Sequence, residues 1–522
     1  MNARILLLII AVGLALVGLI LAGKNQAPVN QNEDPTIIAK VKEAASNESL
    51  QHPRGQVILK GTAQIYGTSG RFEIAFSADG RFINRIESAL SETTGFDGKM
   101  GWMVHASGMP RKLSSDELTW NRLIIDLLSG QWLQDDAPYT ITKTERIKSG
   151  SEWLFTIGHK TEPFRAQIHI DSKTLRPTRL ERANSENGEA VEFADFAQPS
   201  AITLPHQITY THAGIASRSY EIQSVSMDPS SAEENLYIPM TEMPNDAHFD
   251  PSIPAEIEVK RAATGHFLIR AKINDEDLGW FILDSGAAIS TLSPAAAAKL
   301  KLPQIGESPL SSIFGAVKSP IRAAKSLQVG PITIDNPQFA EMDLYAVSHA
   351  VGIPIEGVIG YPLFARTIME VEVSTNRVAL YDPKSYSLQG GTWQELILDM
   401  QIPVVRASFE GGREGLFRLD LGAGRSTVIF HSPAVQTLDL LNGRQVTKRQ
   451  AGEVQVAVGK IAWFELAGHR FDNLNVGFAI GWTGPLADPA TTGNIGGGVL
   501  VPFRVVFDYS RSRIAFVKLN AK

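Results

Sequence analysis

The chain contains no cysteine. That excludes a disulfide framework, a thiol nucleophile, a cysteine-ligated zinc site and a lipidated N-terminal cysteine. There is no HExxH and no GxSxG, so neither a zinc-protease helix nor a serine nucleophile elbow is encoded. No basic stripe is present: 49 basic residues face 55 acidic ones, for a formal net charge of −6. The Trp and Tyr residues are scattered and offer no stacking platform, so nucleic acid is not an expected partner.

What remains is ordinary globular material, 43% hydrophobic and 20% charged, enough for several cores. One long apolar run stands out, "ILLLIIAVGLALVGLILAG" from Ile5 to Gly23 after Arg4. Its length suits a bilayer crossing, and Ile20 or Leu21 at the −3 position fits signal cleavage poorly. Residues 1–23 are therefore expected to be a transmembrane signal-anchor, with a cleaved signal peptide as the alternative. Either places the rest in the cell envelope on the extracytoplasmic, periplasmic side, with the membrane as a partner through this segment.

Residues 24–54 read as a polar linker with a short helix at "TIIAKVKEAAS". From 55 to 227, short alternating runs between Gly, Asp and Asn predict antiparallel strands, interrupted by an amphipathic helix, "DELTWNRLIIDLLSG", stopped by Gly130. The pieces "GFDGKMGWMV", "IHIDSKTLRPTRL" and "ITLPHQITY" resemble the periplasmic lipoprotein-carrier (LolA/LolB-like) family. That resemblance implies a half-open antiparallel β-barrel around a helix, with lipid or lipoprotein as a partner. The same pieces are also explained by hairpin turns and a core tryptophan, Trp102. Residues 228–261 are rich in Pro and acidic residues and read as an extended linker.

The remaining half repeats itself. A shift of 136 residues takes Asp284 to Asp420, Gly286 to Gly422, Ala287 to Ala423 and Ser290-Thr291 to Ser426-Thr427. The same shift takes Ile359-Gly360 to Ile495-Gly496 and Arg377-Val378-Ala379 to Arg513-Ile514-Ala515. Two copies of one unit are expected, at 262–390 and 391–522. Each has a hairpin whose second strand ends in the aspartate, a small-residue turn, a further hairpin and an apolar turn at glycine. Gly315 and Gly452 lie near the expected tips of the middle hairpins. Taken alone, Asp284 in "FILDSGAAIS" would read as a strand-ending turn, and Asp420 as a turn-capping aspartate.

Asp-Ser-Gly-Ala after an apolar strand, followed by "VIG", resembles the retropepsin-like aspartic peptidases, in the form with two units in one chain. The resemblance implies a mainly β fold class with two retropepsin-like lobes (the acid-protease fold) related by a pseudo-two-fold. It implies Asp284 and Asp420 as the catalytic pair, with Ser285, Gly286, Ala287, Gly422 and Ala423 supporting the loops, and Gly315 and Gly452 in flaps. The implied activity is endopeptidase hydrolysis of a peptide or protein substrate by an activated water, with no cofactor and no metal. Two departures stand out: Leu421 replaces the Ser or Thr that follows each Asp, and Asn494-Ile495 replaces an apolar pair. They keep open an alternative, a non-catalytic lipid- or lipoprotein-binding envelope protein with a pseudo-peptidase module.

Overall fold

The structure, a computed structural model, describes residues 34–45, 48–51, 55–182, 188–197, 203–228, 242–312, 315–451, 454–481 and 484–519. The apolar N-terminal segment and Gly452 lie outside the described residues. Among those described, no helix is long and apolar enough to cross a membrane.

The N-terminal region builds one antiparallel sheet of 13 strands among the described residues. It runs from an edge at Pro110–Lys112 back to Gln56–Ile65, passes to Ile215–Asp228, and continues to a second edge at Tyr139–Ile147. The two edges do not pair, so the sheet is not a closed barrel. Helix Ser115–Ser129 packs against it. Trp120, Leu123, Ile124, Leu127 and Leu128 recur at helical spacing and are all buried. One core joins them to Phe72 and Phe96 on one arm of the sheet and to Tyr139 and Phe155 on the other, so the sheet curls round the helix. Ser114 caps the helix in a reciprocal box with Glu117, and Gly130 ends it at φ 77°. The short helix Pro35–Ala45 joins this core through Ile37 and Val41.

The segment 228–261, read from sequence as a linker, is partly used as sheet. Ala247–Phe249 pairs with Ile332–Asp335, and Val259–Arg261 pairs with Phe267–Ile273. Both lie along strands already formed, so short segments gain backbone partners there, with Ala247, Phe249 and Val259 packed against the core.

Residues 247–359 form a sheet of 11 strands among those described, and residues 397–495 one of eight. A third sheet, of five strands, takes its members from the segments that follow each stretch, residues 368–395 and 503–518. In it Ile368–Glu372 pairs with Phe503–Asp508, register Ile368 to Asp508. One continuous core runs through all three, including Phe281, Leu283, Phe364, Phe417, Leu419 and Phe507.

The N-terminal sheet meets this body through buried charge. Arg111 makes a two-pronged pair with Glu117, at 2.7 and 2.5 Å, and donates to the Leu398 carbonyl at 3.1 Å. The Ser114 hydroxyl accepts from Glu117 N and donates to Asp399 Oδ1 at 2.7 Å. Burial, then the charges of Glu117 and Asp488, push the Asp399 carboxyl up to about 7, against the pull of Arg418. The folded protein thus holds this proton more tightly than the unfolded chain. The resulting stability is complete below the ordinary carboxylate range and is lost as pH rises through about 7. Asp399→Asn should flatten the fall in Tm between about pH 4 and pH 8, the range bracketing the unfolded and folded values. Parallel Tm profiles for the variant and the parent would show that Asp399 does not titrate across folding.

Candidate active site: two aspartate loops face to face

Both aspartates are delivered the same way. Strand Glu276–Leu283 is paired with Phe267–Ile273 and enters the core at Phe281 and Leu283, so its next residue, Asp284, emerges at the strand's buried end. Strand Arg413–Leu419 does the same for Asp420 through Phe417 and Leu419. Each strand lies parallel to a second one, Ile355–Ile359 or Gly493–Ile495. Asp284 N donates to the Ile359 carbonyl at 3.0 Å, and Asp420 N to the Ile495 carbonyl at 2.9 Å.

The two carboxyls approach one point from opposite loops: a Cβ on Gly286 would lie 2.9 Å from Asp420 Oδ1 and 3.2 Å from Asp284 Oδ1. Asp284 Oδ1 accepts from the backbone N–H of Gly286 at 2.7 Å and of Gly422, in the opposite loop, at 3.2 Å. Glycine is required in both loops. A Cβ on Gly286 would sit 2.9 Å from Asp420 Oδ1, and one on Gly422 would collide with the Asp284 carboxyl. Burial raises the Asp284 pKa, offset in part by these two N–H groups and by the Asp420 carboxyl. Burial, then the neighbouring Asp284 charge, push Asp420 up to about 7, against the Ala423 N–H, Arg418 and His266. Two carboxyls this close share a proton, and the titration belongs to the pair.

The bracing is one-sided. The Ser285 hydroxyl donates to the Leu419 carbonyl at 2.7 Å and accepts from Leu421 N at 3.0 Å, tying the first loop to the second. Leu421 has no hydroxyl to return the tie and is 1% exposed in the main core. Burying a leucine is worth about 1.5–3 kcal/mol, against about 1 kcal/mol for a typical neutral hydrogen bond. The exchange therefore does not weaken the fold; it removes a directional restraint from Asp420.

Other groups take up that side. His266 Nε2 donates to the Gly422 carbonyl at 2.8 Å, while its Nδ1 lies 2.7 Å from Thr264 Oγ1. Burial holds this imidazole below its usual pKa and so neutral. Asn494 Nδ2 donates to Asp420 Oδ2 at 2.9 Å, and Asn494 Oδ1 lies 2.9 Å from His431 Nε2. From sequence, both histidines read as surface or satisfied core. His431 reaches Asn494 only because Val428–Phe430 pairs antiparallel with Gly493–Ile495, a register no local motif announces.

The remaining sequence candidates fall around this centre. The Ala287 carbonyl accepts from Tyr361 N at 2.8 Å and the Ala423 carbonyl from Ser426 N at 3.1 Å, each closing its loop. Gly315 sits at the end of hairpin Gln304–Ser312/Gly315–Ala323, at φ 99°. The second hairpin pairs Thr447–Ala451 with Val454–Leu466. Its end approaches the first: Ser312 O and Val454 Cγ2 lie 3.8 and 3.7 Å from where a Cβ on Gly484 would be. The first hairpin also rests on the N-terminal sheet. Glu307 N donates to the Tyr66 carbonyl at 2.6 Å, and Ser311 Oγ lies 2.8 Å from His212 Nε2.

Among the described residues no group of His, Asp and Glu is arranged to hold a metal ion. No curated protein matches the chain. A family model described as aspartyl protease matches residues 269–363. That stretch contains the strand, the turn and the glycine that present Asp284, and the match supports an aspartyl protease domain there.

Proposed function

We propose that the protein is an extracytoplasmic aspartic endopeptidase whose catalytic pair is Asp284 and Asp420, carried by two retropepsin-like lobes related by a pseudo-two-fold. One observation carries the proposal: two part-buried carboxyls from equivalent strand ends approach one point, with Asp284 held there by glycine N–H groups from both loops. The membrane-side location rests on the apolar run Ile5–Gly23.

The two N–H groups on Oδ1 make Asp284 the better home for negative charge, and Asp420 retains the shared proton. In the reaction Asp284 takes a proton from a water between the carboxyls. The water oxygen bonds to the substrate's carbonyl carbon, and the Asp420 proton stabilises the carbonyl oxygen as it becomes tetrahedral. Collapse breaks the C–N bond, with a proton passing to the leaving nitrogen. The hairpins ending near Ser312 and Val454 would cover the substrate as flaps.

This scheme needs one proton on the pair. Cleavage of a peptide library by the full-length protein should therefore be strongest at acidic pH and decline as pH rises through about 7, where the Asp420 proton is lost. Absence of cleavage anywhere from about pH 3 to pH 7, where such pairs hold one proton, would end the proposal.

A further inference from the structure

The two departures from the repeat flank one carboxylate. Leu421, where the first loop has Ser285, turns into the core. Asn494 stands where the first half has Val358, and its amide meets Asp420. We infer that Asn494, oriented by His431, is the positioning residue of Asp420, supplying from the neighbouring strand a directional hydrogen bond that the second loop's own sequence does not encode. The inference rests on the peptidase reading for its catalytic consequence.

An amide has a donor end and an acceptor end, so something must fix which end faces Asp420. With Nδ2 on Asp420, Oδ1 needs a proton from His431 Nε2. His431 is 0% exposed. Burial, with Arg418 nearby, lowers its pKa to about 4. Thr491 Oγ1 lies 3.0 Å from His431 Nδ1 and donates to Asp488 Oδ2 at 2.7 Å. Asp488 in turn accepts from Arg418 Nη2 at 2.7 Å and Ala490 N at 2.9 Å. The amide is thus backed by four linked side chains. An asparagine cannot relay a proton along this chain without changing its own bonding, so its part is orientation.

The first half has no such chain. Val358 pairs with Thr291 and is flanked by Leu292, and both Val358 and Leu292 are buried apolar residues. The support therefore acts on one carboxyl of the pair. The charged and titratable groups facing Asp420 are Asp284 from the opposite loop, His266 from the preceding hairpin region and Arg418 from its own strand. Asn494 adds a donor that favours the ionised form.

The test is to titrate the Asp420 carboxyl in the full-length protein by 13C NMR, its signal identified by loss in Asp420→Asn. This readout needs no peptidase activity. Asn494→Leu should raise the Asp420 midpoint by about one pH unit, the size expected for losing one hydrogen bond to a charged group. Asn494→Asp, nearly isosteric, should raise it further by adding a like charge. His431→Gln keeps an N–H facing the amide oxygen and should retain the parent midpoint. If Asn494→Leu does not fold, Asn494→Asp decides. An unmoved midpoint in Asn494→Asp overturns the inference even where peptides are cleaved. A moved midpoint in a protein that cleaves nothing upholds the positioning and removes the peptidase reading instead.

Discussion

Replacing Asp284 by asparagine should lower peptide hydrolysis by about a thousandfold, the middle of the range for losing a positioned acid or base. The variant should stay folded. Asparagine has the same shape, and its Oδ1 can still accept from Gly286 in its own loop and from Gly422 in the opposite one. What it cannot do is take a proton from water. Asp420→Asn should cost a similar factor, because an amide there leaves the pair without its shared proton. The double variant should be little worse than either single one, since groups that act as a unit are not additive. The measurement is kcat/KM on one peptide, with circular dichroism as the fold control. Activity in Asp284→Asn within tenfold of the parent would mean that cleavage takes place elsewhere on the protein.

The largest effect on stability should come from Arg418→Met. Arg418 is 8% exposed and donates to Asp488 at 2.7 Å, with Asp399 at 3.6 Å. Methionine fills the space but removes the cation that contacts the buried Asp399 and the part-buried Asp488. Removing one partner of a buried pair costs about 3–5 kcal/mol. Burial alone would raise the Asp488 pKa; Arg418, the Ala490 N–H and the Thr491 hydroxyl reverse this and keep it low. In the variant Asp488 should take up a proton near neutral pH. Urea unfolding at pH 7 should show the loss, and adding Asp399→Asn and Asp488→Asn should recover much of it. A cost below about 1 kcal/mol, typical of an exposed ion pair, would show that water reaches this cluster.

The aspartate loops were legible in the sequence because the turn is built from local requirements. An apolar strand must end before a buried acid, and the glycine after it must leave room for the opposite carboxyl. Both demands show as residue types at fixed offsets, and the second copy repeats them. The helix Ser115–Ser129 was legible for the same reason, with its cap, its apolar spacing and Gly130 all local. His431 and His266 were not. Each reaches the site through strand register or loop packing, and a lone histidine in a sequence carries no mark of its partner. Asn494 was visible as a departure, but its meaning depended on His431. The edge strands at Ala247–Phe249 and Val259–Arg261 were hidden by their composition, since an edge strand borrows its order from its neighbour.

The hairpin Gln304–Ser312/Gly315–Ala323 is joined to the N-terminal sheet at Tyr66, near its base, and at His212, near its end. A free hairpin of this length would flicker open on the timescale of loops, nanoseconds to microseconds. One fastened at two points moves when the body it is fastened to moves, and whole-domain motions run from microseconds to milliseconds. In the proposed peptidase, admission of a chain beneath this hairpin would then be a domain displacement, its rate set by the contacts of residues 55–227 with the rest of the protein. A ligand that grips the N-terminal sheet would change how often the cleft opens without approaching either aspartate.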